Sequence, residues 1–166
     1  MNVYHGSTKI VDKPLVNKGR KYLDFGQGFY VTNLREQAID WATRPINTGK
    51  SQYLNIYDFD LAAIEVGRYR CARFDAYNDY WLDFVIANRH GNLISQSYDV
   101  IEGGIANDRI FNTIELYDAG LITREEALAR LKYEKPNDQI CIRNQEIIEN
   151  HLHFIKSERL DDNERR

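Results

Sequence analysis

The sequence predicts an α+β fold of mostly antiparallel strands, and three observations carry that expectation. Short runs of two-residue apolar alternation are interleaved with segments of helical period, but not in the regular strand–helix order of a doubly wound sheet. Glycine, proline and asparagine turns punctuate these runs at close spacing. A chain of 166 residues, 43% hydrophobic and 28% charged, can bury one core without disulfide or metal staples.

Residues 2–5 form an apolar strand broken by Gly6. Residues 8–22 form a loop in which Lys9, Lys13, Lys18, Arg20 and Lys21 surround Pro14 and Gly19. Residues 29–32 read as a second strand. Asn33 with Glu36 three residues on has the spacing of a capping box, and Leu34, Ala38, Trp41 and Ala42 then share a helical face as far as Pro45. In residues 52–60, Leu54 and Ile56 alternate with Tyr53, Asn55 and Tyr57, which predicts a strand with one buried face. Another strand is expected within residues 65–74. Trp81, Leu82, Phe84, Val85 and Ile86 place a helix over residues 78–88, stopped by His90 and Gly91. A strand over 98–101 runs into Gly103 and Gly104, and a helix over 108–119 ends at Gly120. Thr123 and Glu126 form a second capping box, opening a helix that reaches Leu131. After a turn at 136–138, residues 139–142 form a strand, a short helix surrounds Ile147, and a last strand covers 153–155. The domain is expected to span residues 1–157, with 158–166 a charged, frayed tail.

The net charge of −3 argues against a general nucleic-acid sheath and leaves room for a local basic patch. Cys71 and Cys141 lack CxxC spacing and read as reduced, buried thiols of a cytoplasmic protein. No secretory leader is visible and no stretch approaches 18 apolar residues, so no membrane association is expected.

Two segments carry the functional reading. In Tyr4-His5-Gly6-Ser7 a histidine ends a strand beside a glycine, where it can meet a ribose hydroxyl or simply bond a nearby carbonyl. In Asp24-Phe25-Gly26-Gln27-Gly28-Phe29-Tyr30 a glycine loop feeds an aromatic pair, suited either to stacking on a ligand ring or to core packing. The kinase reading of Asp-Phe-Gly fails, because no surrounding kinase segments are present. Asp99, Glu102 and Asp108 cluster about the Gly103-Gly104 turn as candidate bases or helix caps. Gln139 opens an otherwise apolar strand, either at a site or at an edge. His90, His151 and His153 form no metal pattern, Cys141 has no activating base, and no Walker or dinucleotide fingerprint occurs.

Taken in order, Tyr-His-Gly-Ser at 4–7, Gly-x-Gly-Phe-Tyr-Val-Thr at 26–32 with Gln37-Ala38 and Trp41-Ala42, Trp81-Leu82-Asp83-Phe84-Val85 with Asn88-Arg89, Tyr98-Asp99-Val100-Ile101-Glu102-Gly103 with Ala106-Asn107-Asp108-Arg109, and Gln139-Ile140-Cys141-Ile142 form a series. That series resembles a bacterial family catalogued as domain of unknown function 3990, over roughly residues 3–156. The family looks like a member of the ADP-ribosyltransferase-like superfamily, in its His-Tyr-Glu branch, which implies a split pair of small sheets with flanking helices.

The resemblance implies NAD as co-substrate, with no metal. It casts His5 as the ribose-binding histidine, Gly6 as the backbone grip on the nicotinamide amide, and Tyr30 as the stacking tyrosine. Ser7, Gly28 and Phe29 would complete the cofactor site. Gln139 falls where the branch carries a catalytic glutamate. Glutamine accepts the ribose hydrogen bond but brings no charge, so Asp108, or else Glu102 or Asp99, would supply the carboxylate. A single transfer to a protein or nucleic-acid acceptor is the implied activity, in a bacterial toxin or phage-conflict effector that a partner antitoxin would neutralise. An NAD or ADP-ribose binding module and an NAD glycohydrolase are the alternatives.

Overall fold

The computed structural model describes residues 1–66, 68–104, 108–134 and 138–161. The class is α+β, built on two small sheets. One sheet is antiparallel throughout, in the order β1 (Asn2–Ser7), β3 (Tyr53–Phe59), β7 (Leu152–Arg159). The other runs β2 (Phe29–Val31), β6 (Gln139–Ile142), β5 (Val100–Gly103), β4 (Cys71–Phe74), with only the β4–β5 pair parallel. The two sheets touch at a single backbone bridge. Tyr4 N–H donates to Thr32 O at 2.8 Å and Thr32 N–H to Tyr4 O at 3.0 Å.

Strand alternation divides the apolar side chains between two cores. Val3, Tyr57 and Phe59 of the first sheet meet Phe29, Val31, Val100, Ile140 and Ile142 of the second, closed by Ile147 and Ile148 of α6 (Gln145–His151). The opposite face of the second sheet presents Ile101 and Cys141 to α3 (Asp79–Arg89), α4 (Asp108–Asp118) and α5 (Arg124–Leu131), which contribute Trp81, Leu82, Ile110, Ile114 and Leu131. Trp81 is fully buried there, and its indole N–H is satisfied by Gly104 O at 3.0 Å. α1 (Arg35–Ala42) covers the outer face of the first sheet, with Ala38 against Leu54 and Ile56.

Several local expectations are corrected. Asn33 caps nothing. α1 starts at Arg35, and Leu34 N–H donates to the Thr32 hydroxyl at 3.0 Å, because that hydroxyl is already pinned at the strand end by donating to Asp138 O at 2.6 Å. β3 is buried on both faces: α1 covers the Leu54 and Ile56 side, and the inter-sheet core takes Tyr57 on the side the alternation leaves polar, where Asn55 is also fully buried. Residues 60–65 form a helical turn, α2 (Leu61–Glu65), capped where Asp60 accepts from Ala63 N–H at 3.2 Å; the strand expected in 65–74 is confined to β4. β7 extends through Glu158 and Arg159, which the sequence reading places in the tail; Glu158 pairs with Leu54 in register and bonds Arg35. Cys71 is exposed on edge strand β4, whereas Cys141 is buried and its thiol is pushed up to about 12 by that burial. The Thr123–Glu126 capping box forms as the spacing predicts. The 136–137 part of the expected turn lies outside the described residues. No helix among the described residues is long and apolar enough to cross a membrane.

Candidate active site

The single bridge between β1 and β2 makes a split, and the split exposes peptide groups. In an antiparallel pair, residues that exchange both hydrogen bonds recur at every second position. After Tyr4–Thr32 the next such pair would be Gly6–Tyr30. It does not form, because the imidazole of His5 takes its place: Nδ1 lies 2.8 Å from Tyr30 O. The N–H and C=O of Gly6, which point the same way as those of Tyr4, therefore have no strand partner across the split, and neither has Tyr30 N–H.

His5 is half-buried, its ring centroid 4.6 Å from that of Phe29. Donation to a carbonyl requires the proton on Nδ1, which leaves Nε2 a bare acceptor. Burial holds the imidazole below its ordinary value, against the Tyr30 carbonyl, which favours the charged form. The ring is thus a neutral, oriented acceptor at pH 7.

The opposite face of the split is built from β2, β6 and α1. Gly6 lies directly under α1: a Cβ there would sit 1.9 Å from Ala38 O, so only glycine lets the helix approach. On that same face, Tyr30 stands opposite Cys141 in register, and Gln139 follows two residues along from Cys141. Gln139 is 3% exposed, and its carboxamide has no hydrogen-bond partner among the described residues. Gln37 of α1 donates from Nε2 to Asp138 O at 3.1 Å, while its Oε1 is buried with no partner among the described residues. Two carboxamides and one peptide unit with open valences thus gather around a split strand pair. Unpaired buried polar groups cost roughly 1–3 kcal/mol each, and sites where they cluster are sites for a ligand with complementary groups.

The predicted residues do not all serve alike. Tyr30 and Gln139 share one face, and His5 leaves from the other, where it meets β2 through the Tyr30 carbonyl and the Phe29 ring. The Tyr30 hydroxyl donates to Gly26 O, and burial beside Cys141 raises its pKa well above the usual phenol value. Its oxygen is occupied, so the half-buried ring is what it offers a ligand. Phe29 is buried packing, and Gly28 is a close approach, where a Cβ would meet Cys141 Sγ at 2.6 Å. Ser7 is half-buried and accepts from Lys9 N–H at 3.4 Å.

The three acids separate. Asp99 sits at the far end of β5 from Gln139; burial raises its pKa, but hydrogen bonds from Arg70 and Asn144 outweigh that and hold it low. Glu102 is opposite Ile140, on the other face from Gln139, where burial and Asp138 raise its pKa despite Arg73 at 3.7 Å. Asp108 opens α4, but its side chain lies outside the described residues, as do Ala106 and Asn107. Gln37 is the residue that pattern reading passed over. Its signal was a polar side chain beside Ala38 on the covered flank of α1.

No curated protein and no solved structure matches the chain. The model of a family described as protein of unknown function (DUF3990) matches residues 1–154, and the chain belongs to that family.

Proposed function

We propose that the chain is a mono-ADP-ribosyltransferase that uses NAD to modify a macromolecular acceptor, on an ADP-ribosyltransferase-like split sheet. The observation that carries this reading is the Gly6 peptide, without a strand partner across the split, beside an imidazole whose Nε2 is an acceptor and the Gln139 carboxamide, which has no hydrogen-bond partner among the described residues. An amide-bearing ring matches the Gly6 N–H and C=O, and ribose hydroxyls match the two side-chain acceptors.

In this reading the Gly6 peptide holds the nicotinamide carboxamide, His5 Nε2 accepts from one ribose hydroxyl, and the Gln139 carbonyl accepts from the 2′-hydroxyl of the nicotinamide ribose. The bond between ribose C1′ and the nicotinamide nitrogen breaks, and its electron pair leaves with nicotinamide. Positive charge develops on the ribose, where oriented dipoles stabilise it. An acceptor oxygen or nitrogen then bonds to C1′ and gives up its proton. The carboxylate that Gln139 lacks is assigned to Asp108, because Glu102 leaves the opposite face of the sheet. One transfer per acceptor site follows, and in a bacterial host the outcome would be a toxin or phage-conflict effector held in check by an antitoxin.

Labelled NAD incubated with the chain and a bacterial lysate tests the proposal. Nicotinamide release and label on macromolecules are expected, both reduced at least tenfold in Gln139→Ala. Nicotinamide release without labelled acceptor makes the chain an NAD glycohydrolase. The absence of charge on Gln139 favours one second reading, a module that binds NAD or ADP-ribose without turnover. Calorimetric binding with no nicotinamide release establishes that reading and overturns the transferase.

A further inference from the structure

The charge of this chain is unevenly placed. Residues 9–22 hold Lys9, Lys13, Lys18, Arg20 and Lys21 against the single carboxylate of Asp12, a net of +4 in a chain whose total is −3, so the remainder carries −7. All five cations are exposed, and none is paired with a carboxylate among the described residues.

The segment is nonetheless anchored. Asn55 Oδ1 accepts from Val11 N–H at 2.9 Å, and the Tyr57 hydroxyl donates to Val11 O. Gln145 accepts from Val16 N–H at 3.1 Å and donates to Pro14 O at 3.2 Å. Gln27 donates to Asn17 O and Gly19 O, at 3.0 and 2.9 Å. Residues 11–19 are therefore a strap fixed to β3, α6 and the glycine loop; it carries Lys13 and Lys18, with Lys9, Arg20 and Lys21 flanking it in sequence.

The strap ends in an exposed ring. Tyr22 is 62% exposed and has a left-handed backbone, φ 61°, which a bulky residue rarely adopts. A Cβ at Gly91 would lie 2.9 Å from its ring, so the ring rests on the Gly91 backbone with much of its surface to solvent. Cations along a track with an aromatic platform at its end are what a single-stranded polynucleotide needs, phosphates for the former and a base for the latter.

We infer that the 9–22 strap is a docking surface for single-stranded nucleic acid. The inference concerns docking alone and stands without the NAD chemistry. Anionic vesicles and acidic polypeptides offer charge but no flat base, and Tyr22 separates them from nucleic acid.

The test is fluorescence anisotropy of the full chain with labelled 20-nucleotide single-stranded RNA and DNA, without NAD. Binding is expected to weaken about 50-fold between 50 and 200 mM salt, the slope for roughly four phosphates. Lys13→Glu with Lys18→Glu and Lys21→Glu should weaken it at least tenfold, and Tyr22→Ala about tenfold while Tyr22→Phe retains it. These side chains are exposed, and circular dichroism of each variant confirms that it folds. No oligonucleotide binding, tighter binding to phosphatidylserine vesicles or polyglutamate, or Tyr22→Ala without effect each overturns the inference. Failure here leaves nicotinamide release untouched, and failure of the NAD assay leaves this titration untouched.

Discussion

At the scale of the residue, His5 joins two roles that a substitution can separate. Asparagine places an N–H near the position of Nδ1 and keeps the bond to Tyr30 O, but it has nothing at the position of Nε2. His5→Asn is therefore expected to melt within a few degrees of the parent and to release nicotinamide at least tenfold more slowly. His5→Ala, which leaves the Tyr30 carbonyl unpaired, should also cost about 1–3 kcal/mol in denaturant unfolding. The histidine predicts a sign with pH. Its folded pKa is depressed by burial, so its contribution is intact above the unfolded value near 6.5 and is lost as pH falls through the folded value. Melting temperature should decline below about pH 6.5 in the parent and less steeply in His5→Asn. Gln139→Glu has the opposite sense: a carboxylate at a 3% exposed position with no partner among the described residues is raised in pKa. Stability should match the parent near pH 4 and fall as pH rises toward 7.5, as melts at the two pH values would show. The residue types at this site were readable in the sequence, because a histidine beside a glycine and a glutamine opening an apolar strand both break local pattern. Their facings were not. That His5 and Tyr30 leave opposite faces follows from the register of β1 on β2, which is set by one bridge some 28 residues apart in sequence.

At the scale of the element, signals within four residues were legible and signals fixed by a partner were not. The Thr123–Glu126 box is complete within its own turn, and Thr123→Ala should cost about 1 kcal/mol in denaturant unfolding. Asn33 and Glu36 have the same spacing but lose to Thr32, whose hydroxyl donates to the carbonyl of Asp138, just before β6. The polar end of β7 reads as tail until β3 is present to pair with it, since Glu158 and Arg159 carry no apolar signal of their own. β3 likewise shows one buried face, the Leu54 and Ile56 side that α1 covers, until the second sheet packs on the Tyr57 side. The seat of α1 is a sharp test of this packing. At Gly6 a methyl group would meet the backbone of Ala38 rather than a movable side chain, so the helix must lift. Gly6→Ala should cost more than 2 kcal/mol in chemical unfolding and abolish NAD turnover, whereas Thr123→Ala should leave turnover unchanged.

At the scale of the molecule, the two sheets are held by side-chain packing between them and by a single peptide pair along their shared edge. The inter-sheet core of Val3, Phe29, Val31 and Ile140 keeps the halves together, so β1 and β2 diverge beyond Tyr4 without separating. Class and cores were legible from alternation and helical period. The split was not; it was expected only through the family resemblance, because an absent pairing leaves no mark on the apolar pattern of either strand. Amide exchange reads it directly. Tyr4 and Thr32 N–H bond each other's carbonyls and should exchange slowly, with the protection of the surrounding core. Gly6 and Tyr30 N–H, two residues along on either side, have no partner across the split and should exchange at least a hundredfold faster. NAD would supply the missing acceptor at Gly6, so saturating dinucleotide should slow exchange there tenfold or more while leaving Tyr4 unchanged. Equal protection at Gly6 and Tyr4 in the free chain would mean that the strands zip together past the bridge. In that event no peptide group is open, His5 has displaced nothing, and the geometry that favours a dinucleotide at this position is gone.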